Sequence, residues 1–392
     1  MNRYSQTTNF KAIFAITLVH FLGDFYGSFT TPLFPAFVEK LGLSLTQVGI
    51  IAGMNRFMAF IVQPSVGYMA DRYETRTFIL GGLLLSIVFI PLTGIAPSFW
   101  VLFFCVALGS IGSSMFHPSV AGMVPLYAGQ KVGLSMSIFN TGGTFAFAVG
   151  PIFITTYVAA FGLEAVPATM AIGLAVMIYL FYKAPVPQSE GLKHLGFFGA
   201  LKEALGSVWK SILLIWIVMV IRAIVGQSFL TFIPVLYVQQ GYSLTSAGIL
   251  FAFLTVTGTL SGILAGYFAD KIGYKPIFFL THALMTPVLI LFLYLTGGWV
   301  YLGAALAGFF VMATLPLGVA MAQELAPQGR SMVASLMMGL AFGMGGVVSP
   351  LVGKLADLFT IHTILIWVSF VPLATLVPIY FFPEIKRPDL NS

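Results

Sequence analysis

Apolar residues run along this chain in long blocks with little to interrupt them. Three stretches, 77–130, 223–269 and 276–323, contain no Asp, Glu, Lys or Arg at all. A helix needs about 20 apolar residues to cross the hydrocarbon core of a bilayer, so each stretch holds two crossings and a turn. Backbone polar groups in lipid must be satisfied within their own segment, which makes the helix the spanning element. A transmembrane barrel shows ~10-residue stretches of alternating polarity instead, and these blocks do not alternate. The pattern predicts twelve helices, over 11–38, 45–70, 77–96, 99–124, 131–160, 164–183, 209–238, 244–270, 276–295, 299–323, 330–357 and 361–382.

Composition agrees. Apolar residues make up 59% of the 392, and charged residues only 8%, against about a quarter in a soluble domain. A soluble enzyme is excluded. Met1–Lys11 is short and polar, and the apolar run after it is too long for a signal peptide, so the first helix is expected to stay in the mature chain. Cys105 is the only cysteine, which rules out a disulfide framework and gives no metal–thiolate pattern. With both termini cytoplasmic, fourteen cations face the cytoplasm (Arg3, Lys11, Arg72, Arg76, Lys131, Lys183, Lys193, Lys202, Lys210, Lys271, Lys275, Arg330, Lys386 and Arg387) and only Lys40 and Lys354 face outward. That bias sets the orientation, and it explains the net charge of +6 without nucleic acid.

The two halves repeat. Ser44-Leu45-Thr46-x-x-Gly49-Ile50 recurs as Ser243-Leu244-Thr245-x-x-Gly248-Ile249, a shift of 199 residues. At the same shift Gly67-Tyr68-x-Ala70-Asp71-Arg72 becomes Gly266-Tyr267-x-Ala269-Asp270-Lys271, and Pro35, Gly109, Lys131 and Pro151 meet Pro234, Gly308, Arg330 and Pro350. The expected fold is an all-α membrane protein with twelve transmembrane helices in two pseudo-symmetric six-helix bundles. Residues 1–183 form the first bundle, 184–208 a cytoplasmic linker and 209–392 the second. Parallel repeats of this kind put a substrate path between the halves, near the bilayer midplane.

The loops Gly67–Arg76 and Gly266–Lys275 resemble the cytoplasmic signature of the major facilitator superfamily; the second copy is complete, and the first has Glu74 where the pattern has glycine. Thr141-Gly142-Gly143 with Gly150-Pro151 partly resembles the antiporter signature of drug-efflux members. Val19-His20-Phe21-Leu22-Gly23-Asp24, Gly112-Ser113-Ser114-Met115-Phe116-His117-Pro118 and Ala322-Gln323-Glu324-Leu325-Ala326-Pro327-Gln328-Gly329-Arg330 resemble the fosmidomycin-resistance type of exporter. The resemblance covers nearly the whole chain. It implies a bacterial inner-membrane exporter driven by the proton gradient, with phosphonate antibiotics among its substrates. The chain departs from that pattern at Ser119, where an acid is expected, and at Arg56, where a neutral residue is expected.

Ionisable groups at membrane depth cost at least ~2.5 kcal/mol on insertion scales, so each calls for a partner or a task. Asp24 lies in the middle of the first span with His20 one turn before it on the same face; these are the expected proton-coupling residues. Arg56 and Arg222, mid-span in opposite halves, and His117 from the exporter-like motif are the expected substrate-binding residues, with a purely structural Asp24–Arg222 pair as the alternative. His282 reads as a packing residue. Asp71, Arg72, Arg76, Lys131, Asp270, Lys271, Glu324 and Arg330 are assigned to a cytoplasmic gate. The leading function is a proton-coupled antiporter exporting small anionic, phosphonate-like or drug-like molecules; the alternatives are a symporter or uniporter importing an organic acid, and, last, a membrane-embedded enzyme or sensor. Expected partners are a small-molecule substrate, protons and membrane lipid, in a monomer without metal or cofactor.

Overall fold

The computed structural model describes residues 7–70, 76–121, 123–129, 132–185, 205–326 and 336–384. Among them no strand occurs, and eleven helical segments are long and apolar enough to cross a membrane. Their outer faces carry large exposed apolar side chains such as Trp100, Phe104, Ile178, Ile263 and Val377. In water a continuous coat of this kind would be an aggregation surface; around a bundle in lipid it is the solvated face.

In chain order the helices are α1 Phe10–Gly27, α2 Phe34–Leu41, α3 Leu45–Ala70, α4 Gly82–Leu92, α5 Phe99–Ala121, α6 Val124–Ala128, α7 Val132–Phe161, α8 Met170–Lys183, α9 Trp209–Gln239, α10 Leu244–Ile272, α11 Tyr274–Tyr294, α12 Trp299–Met312, α13 Leu315–Leu325, α14 Ala341–Leu358, α15 Ile361–Phe370 and α16 Leu376–Tyr380. The first predicted span, 11–38, is in fact two helices. The chain leaves α-helix after Gly27 and resumes at Phe34, with Pro35 in the first turn of α2, where its missing N–H is no loss. The matching segment of the second half, α9, runs unbroken through Pro234. The span 299–323 likewise breaks into α12 and α13 at Ala313 and the buried Thr314. The eleventh expected crossing, 330–357, is described from Leu336 onward; its helix α14 is rich in glycine and carries Lys354 and Asp357 near its end, and it is not among the eleven segments found. The linker 184–208 lies mostly outside the described residues.

The halves meet along two helix pairs, α3 with α14 and α7 with α10. The first seam is threaded by glycines: Gly53 faces the carbonyl of Gly346, and Gly343 faces the ring of Phe60. In the second, Gly248 packs on Pro151 and Thr155, and the Thr255 hydroxyl donates to the Phe147 carbonyl at 3.3 Å. Both seams begin at the face away from the chain termini and reach the middle of the bundle. At that same face Lys40 donates to the Gly94 carbonyl and pairs with Glu164, both at 2.9 Å, tying three connections of the first half together. On α10, Gly258 and Gly262 accommodate Met312 and Pro316, a packing strip within the second half.

Candidate functional site

Asp24 sits in the last turn of α1, whose first turn is capped by the Asn9 side chain accepting from the Ala12 N–H. One helical turn earlier, His20 projects from the same face, and its Nε2 lies 3.2 Å from Asp24 Oδ2. The other carboxylate oxygen, Oδ1, lies 3.0 Å from Nε2 of His117 on α5. His117 is therefore part of the Asp24 cluster, although the sequence assigned it to substrate. Two glycines allow this convergence. A side chain at Gly23 would overlap the ring of Phe116, so its absence lets α5 close on α1. A Cβ at Gly143, on α7, would lie 2.6–2.7 Å from His20 and from Asp24 Oδ2. Of the glycine pair in the antiporter-like motif, Gly143 thus covers the cluster directly, while Gly142 packs on Thr17.

The far nitrogens of both imidazoles are committed. Nδ1 of His20 is 2.9 Å from the Phe139 carbonyl of α7, and its ring stacks on Phe139 at 4.1 Å. Nδ1 of His117 is 2.8 Å from the Ser113 carbonyl one turn back on its own helix. A carbonyl oxygen only accepts, so each Nδ1 donates. In a neutral ring Nε2 is then a bare lone pair, and both lone pairs point at the Asp24 carboxylate. Each His–Asp contact is a hydrogen bond only when a proton lies in it. His20 and Asp24 are sealed off, at 8% and 6% exposure, while the His117 side chain keeps 29%. The three donor atoms lie within 4.8 Å of one another, a nitrogen–nitrogen–oxygen set that also suits a borderline transition-metal ion.

The two arginines occupy different settings. Arg56 of α3 reaches across the interface and donates from Nε to Oε1 of Gln227 on α9 at 2.8 Å; Gln227 in turn donates to the Thr231 hydroxyl at 3.0 Å. Arg56 is within Coulombic reach of Asp24 and of Arg222. Arg222 itself is buried and donates from Nη1 to the Val311 carbonyl at 3.0 Å. Asp24 and Arg222 approach from opposite halves as the repeat suggested, but they do not pair: histidines take the carboxylate, and a carbonyl takes the guanidinium. His282 is fully buried, with Nδ1 on the Phe278 carbonyl at 2.9 Å and Nε2 without a hydrogen-bond partner.

Of the gate residues, Asp71, Arg72, Lys131 and Arg330 lie outside the described residues. Arg76 donates to the Phe181 carbonyl at 3.0 Å, Lys271 rests over the Tyr267 ring, and Glu324 accepts from the Tyr274 hydroxyl at 2.7 Å. Asp270 is exposed in the last turn of α10. Sequence reasoning missed Gln227, and it missed the Phe139 and Ser113 carbonyls that fix the imidazoles. Backbone acceptors carry no residue signal, and Gln227 stands five residues beyond Arg222 without any motif around it.

The sequence matches the Major Facilitator Superfamily over residues 14–350. It is 29% identical to the fosmidomycin resistance protein of Escherichia coli (strain K12), across 97% of this chain and 95% of that protein. It is 28% identical to an uncharacterized MFS-type transporter, YfnC, of Bacillus subtilis (strain 168), across 95% and 94%. The solved structure of the nucleoside transporter NupG superposes with a TM-score of 0.76 over 95% of this chain and 98% of that one, at 12% identity, a likeness of fold.

Proposed function

The chain belongs to the major facilitator superfamily and is a multi-pass membrane transporter, not an enzyme; on that premise we propose that it is a proton-coupled antiporter exporting small anionic organic molecules across a bacterial inner membrane, with both termini cytoplasmic. The observation that carries this reading is the Asp24 carboxylate held between two Nε2 atoms whose rings are pinned by carbonyls. Such a site holds protons where its contacts are intact and gives them up where they open.

Exchange requires that protons and substrate exclude each other, and the cluster supplies the means. Its inward-facing atoms are acceptors. A substrate bringing N–H or O–H groups to Asp24 and His117 takes the place of protons there, while its anionic end lies toward Arg56. His117 is the member of the cluster with exposure enough to be reached. A relative named for fosmidomycin resistance supports export over import. The proximity of Arg56 to Asp24 favours a second reading: an anion that reached Arg56 alone would bind best when Asp24 is protonated, and the result would be co-transport. We assign the cytoplasmic gate to Asp71, Arg72, Arg76, Lys131, Asp270, Lys271, Glu324 and Arg330.

Proton counting separates the two readings. In weakly buffered solution, substrate binding to the purified transporter should release protons; uptake of protons on binding means co-transport, and no change in either direction removes the coupling. Counterflow in proteoliposomes under an imposed pH gradient, over phosphonates, organic acids and lipophilic cations, identifies the substrate to use.

A further inference from the structure

His20 and Asp24 stand four residues apart on α1, a spacing that sets two metal ligands on one helix face. His117 closes on the same carboxylate from α5. Each Nδ1 donates to a main-chain carbonyl, of Phe139 or of Ser113, so in the neutral rings both Nε2 atoms turn electron pairs inward. The carboxylate oxygens that they meet also carry only electron pairs. Three such atoms repel one another unless a cation lies among them. A carbonyl behind each imidazole is, moreover, the outer support typical of metal-ligating histidines, since it fixes the tautomer and the direction of the ring.

The distances suit one ion. In a tetrahedral site with bonds of about 2.0–2.2 Å, neighbouring donors stand about 3.3–3.6 Å apart. Nε2 of His20 and Nε2 of His117 lie 3.2 and 3.0 Å from the carboxylate oxygens they face, and the three donors lie within 4.8 Å of one another. The longest edge therefore closes by roughly an ångström to reach tetrahedral spacing. Gly143 keeps the α7 side clear: a Cβ there would stand 2.7 Å from both His20 Nε2 and Asp24 Oδ2. The 29% exposure of the His117 side chain leaves a way in and a fourth position open.

We propose that His20, Asp24 and His117 form a binding site for a single divalent ion of borderline character, zinc or cobalt. Two imidazoles and one carboxylate favour such ions over magnesium and calcium, which call for oxygen ligands in larger number. One carboxylate leaves a dication with net positive charge, and Arg56, within Coulombic reach of Asp24, adds to it. The ion should therefore bind reversibly and not as a permanent part of the fold. Ion and protons use the same electron pairs, so each excludes the other. Zinc is then an inhibitor of this transporter, a consequence that rests on the proton-coupled reading above.

Cobalt chloride is the probe, titrated into the purified full-length protein with any affinity tag removed. Wild type should develop the visible absorption of four- or five-coordinate cobalt, saturate at one ion per chain, and melt at a higher temperature with the ion bound. His20→Gln and His117→Gln should each weaken cobalt binding by at least about tenfold, the least that even an outer support is worth at a metal site. His117→Glu supplies a ligand of another kind and should bind cobalt with an altered spectrum, a change that a merely structural histidine would not produce. No visible bands in wild type, or bands of equal strength and affinity in both glutamine variants, overturns the site and leaves the proton-coupled reading standing. In counterflow under a pH gradient, zinc chloride at saturating concentration should slow exchange. If cobalt binds wild type and is lost in the variants while zinc leaves counterflow unchanged, the site stands and the Asp24 cluster is not the proton carrier.

Discussion

Asp357 of one half caps α3 of the other at Leu45 and Thr46. Its carboxylate accepts from the Thr46 N–H at 2.8 Å, from the Thr46 hydroxyl at 2.5 Å and from the Leu45 N–H at 2.7 Å. The first amides of a helix have no partner within it and carry partial positive charge, so an acid from across the interface satisfies α3 only while the halves are closed at this face. The other seam lacks the device: at the 199-residue shift Val158 stands where Asp357 would, and α10 is capped by its own Ser243. Replacing Asp357 with alanine should weaken the closed state by about 0.5–2 kcal/mol, the usual worth of a cap. On a background with Cys105 replaced, cysteines placed in the α3–α14 seam should become more reactive from the outer side in Asp357→Ala. Unchanged reactivity means that the cap does not hold the face shut.

The two histidines should differ in function because they are held differently. The far nitrogen of His20 is fastened to α7 by the Phe139 carbonyl and its ring by the Phe139 ring, whereas the far nitrogen of His117 is anchored to its own helix. The charged and titratable groups around Asp24 are these two and, within Coulombic reach, Arg56. If binding releases protons, the bound form is favoured as protons become scarce, so substrate affinity should rise with pH. His117→Gln should reduce that slope, and Asp24→Asn should flatten it and abolish accumulation driven by a gradient while exchange continues. His20→Gln should keep the slope and lower thermal stability. A steep slope surviving in Asp24→Asn places the carrier elsewhere.

How far the sequence reached depends on the kind of signal each feature leaves. The crossings were legible because charge is expelled from whole 20-residue blocks. The His20–Asp24 contact was legible because it is local, one turn on one helix. His117 is 93 residues from Asp24, and only folding reveals that Gly23 brings α5 against α1. The break after Gly27 stayed hidden because apolar residues continue on both sides of it, leaving Gly27, Ser28, Thr30, Thr31, Pro32 and Pro35 as the hints. The role of Asp357 was not legible at all, since nothing along the chain points to a partner more than 300 residues earlier.

Gly143 offers a test of packing at the site. An alanine there would put its Cβ 2.6–2.7 Å from His20 Cε1, His20 Nε2 and Asp24 Oδ2, inside a contact that cannot give way without separating the pair. Overpacking of this kind costs typically 1–3 kcal/mol, and transport should fall more steeply than stability because the displaced atoms are the proton site. Gly266, a signature glycine, has nothing within 4 Å of the same added atom, so Gly266→Ala should leave thermal stability unchanged. Parallel melting curves and uptake rates decide the matter; equal losses in the two variants would mean that glycine flexibility, not space, is what α7 requires.

Arg56 and Arg222, alike in the sequence as lone cations at membrane depth, should part company when each is replaced by glutamine. Arg56 borders a small cavity between the halves, lined also by Thr30, Thr31 and Asn55, and its Nε donates to the Gln227 amide oxygen. Guanidinium binds phosphonate and carboxylate oxygens in paired fashion, and hydrogen bonds to charged groups contribute about 1.5–3 kcal/mol, roughly tenfold to a hundredfold in affinity. Arg56→Gln should therefore lose that much for an anionic substrate and little for a neutral analogue of the same shape. Arg222, 3% exposed, spends its Nη1 on the Val311 carbonyl of α12 within its own half. Its replacement should lower thermal stability and affect charged and neutral ligands equally. Binding of the matched pair of ligands to both variants, alongside their melting temperatures, is the measurement. If Arg56→Gln loses both ligands to the same extent, Arg56 is a strut between the halves and the anionic substrate has no support left from the cavity; if Arg222→Gln loses the anion selectively, the binding site extends deeper into the second half than Gln227.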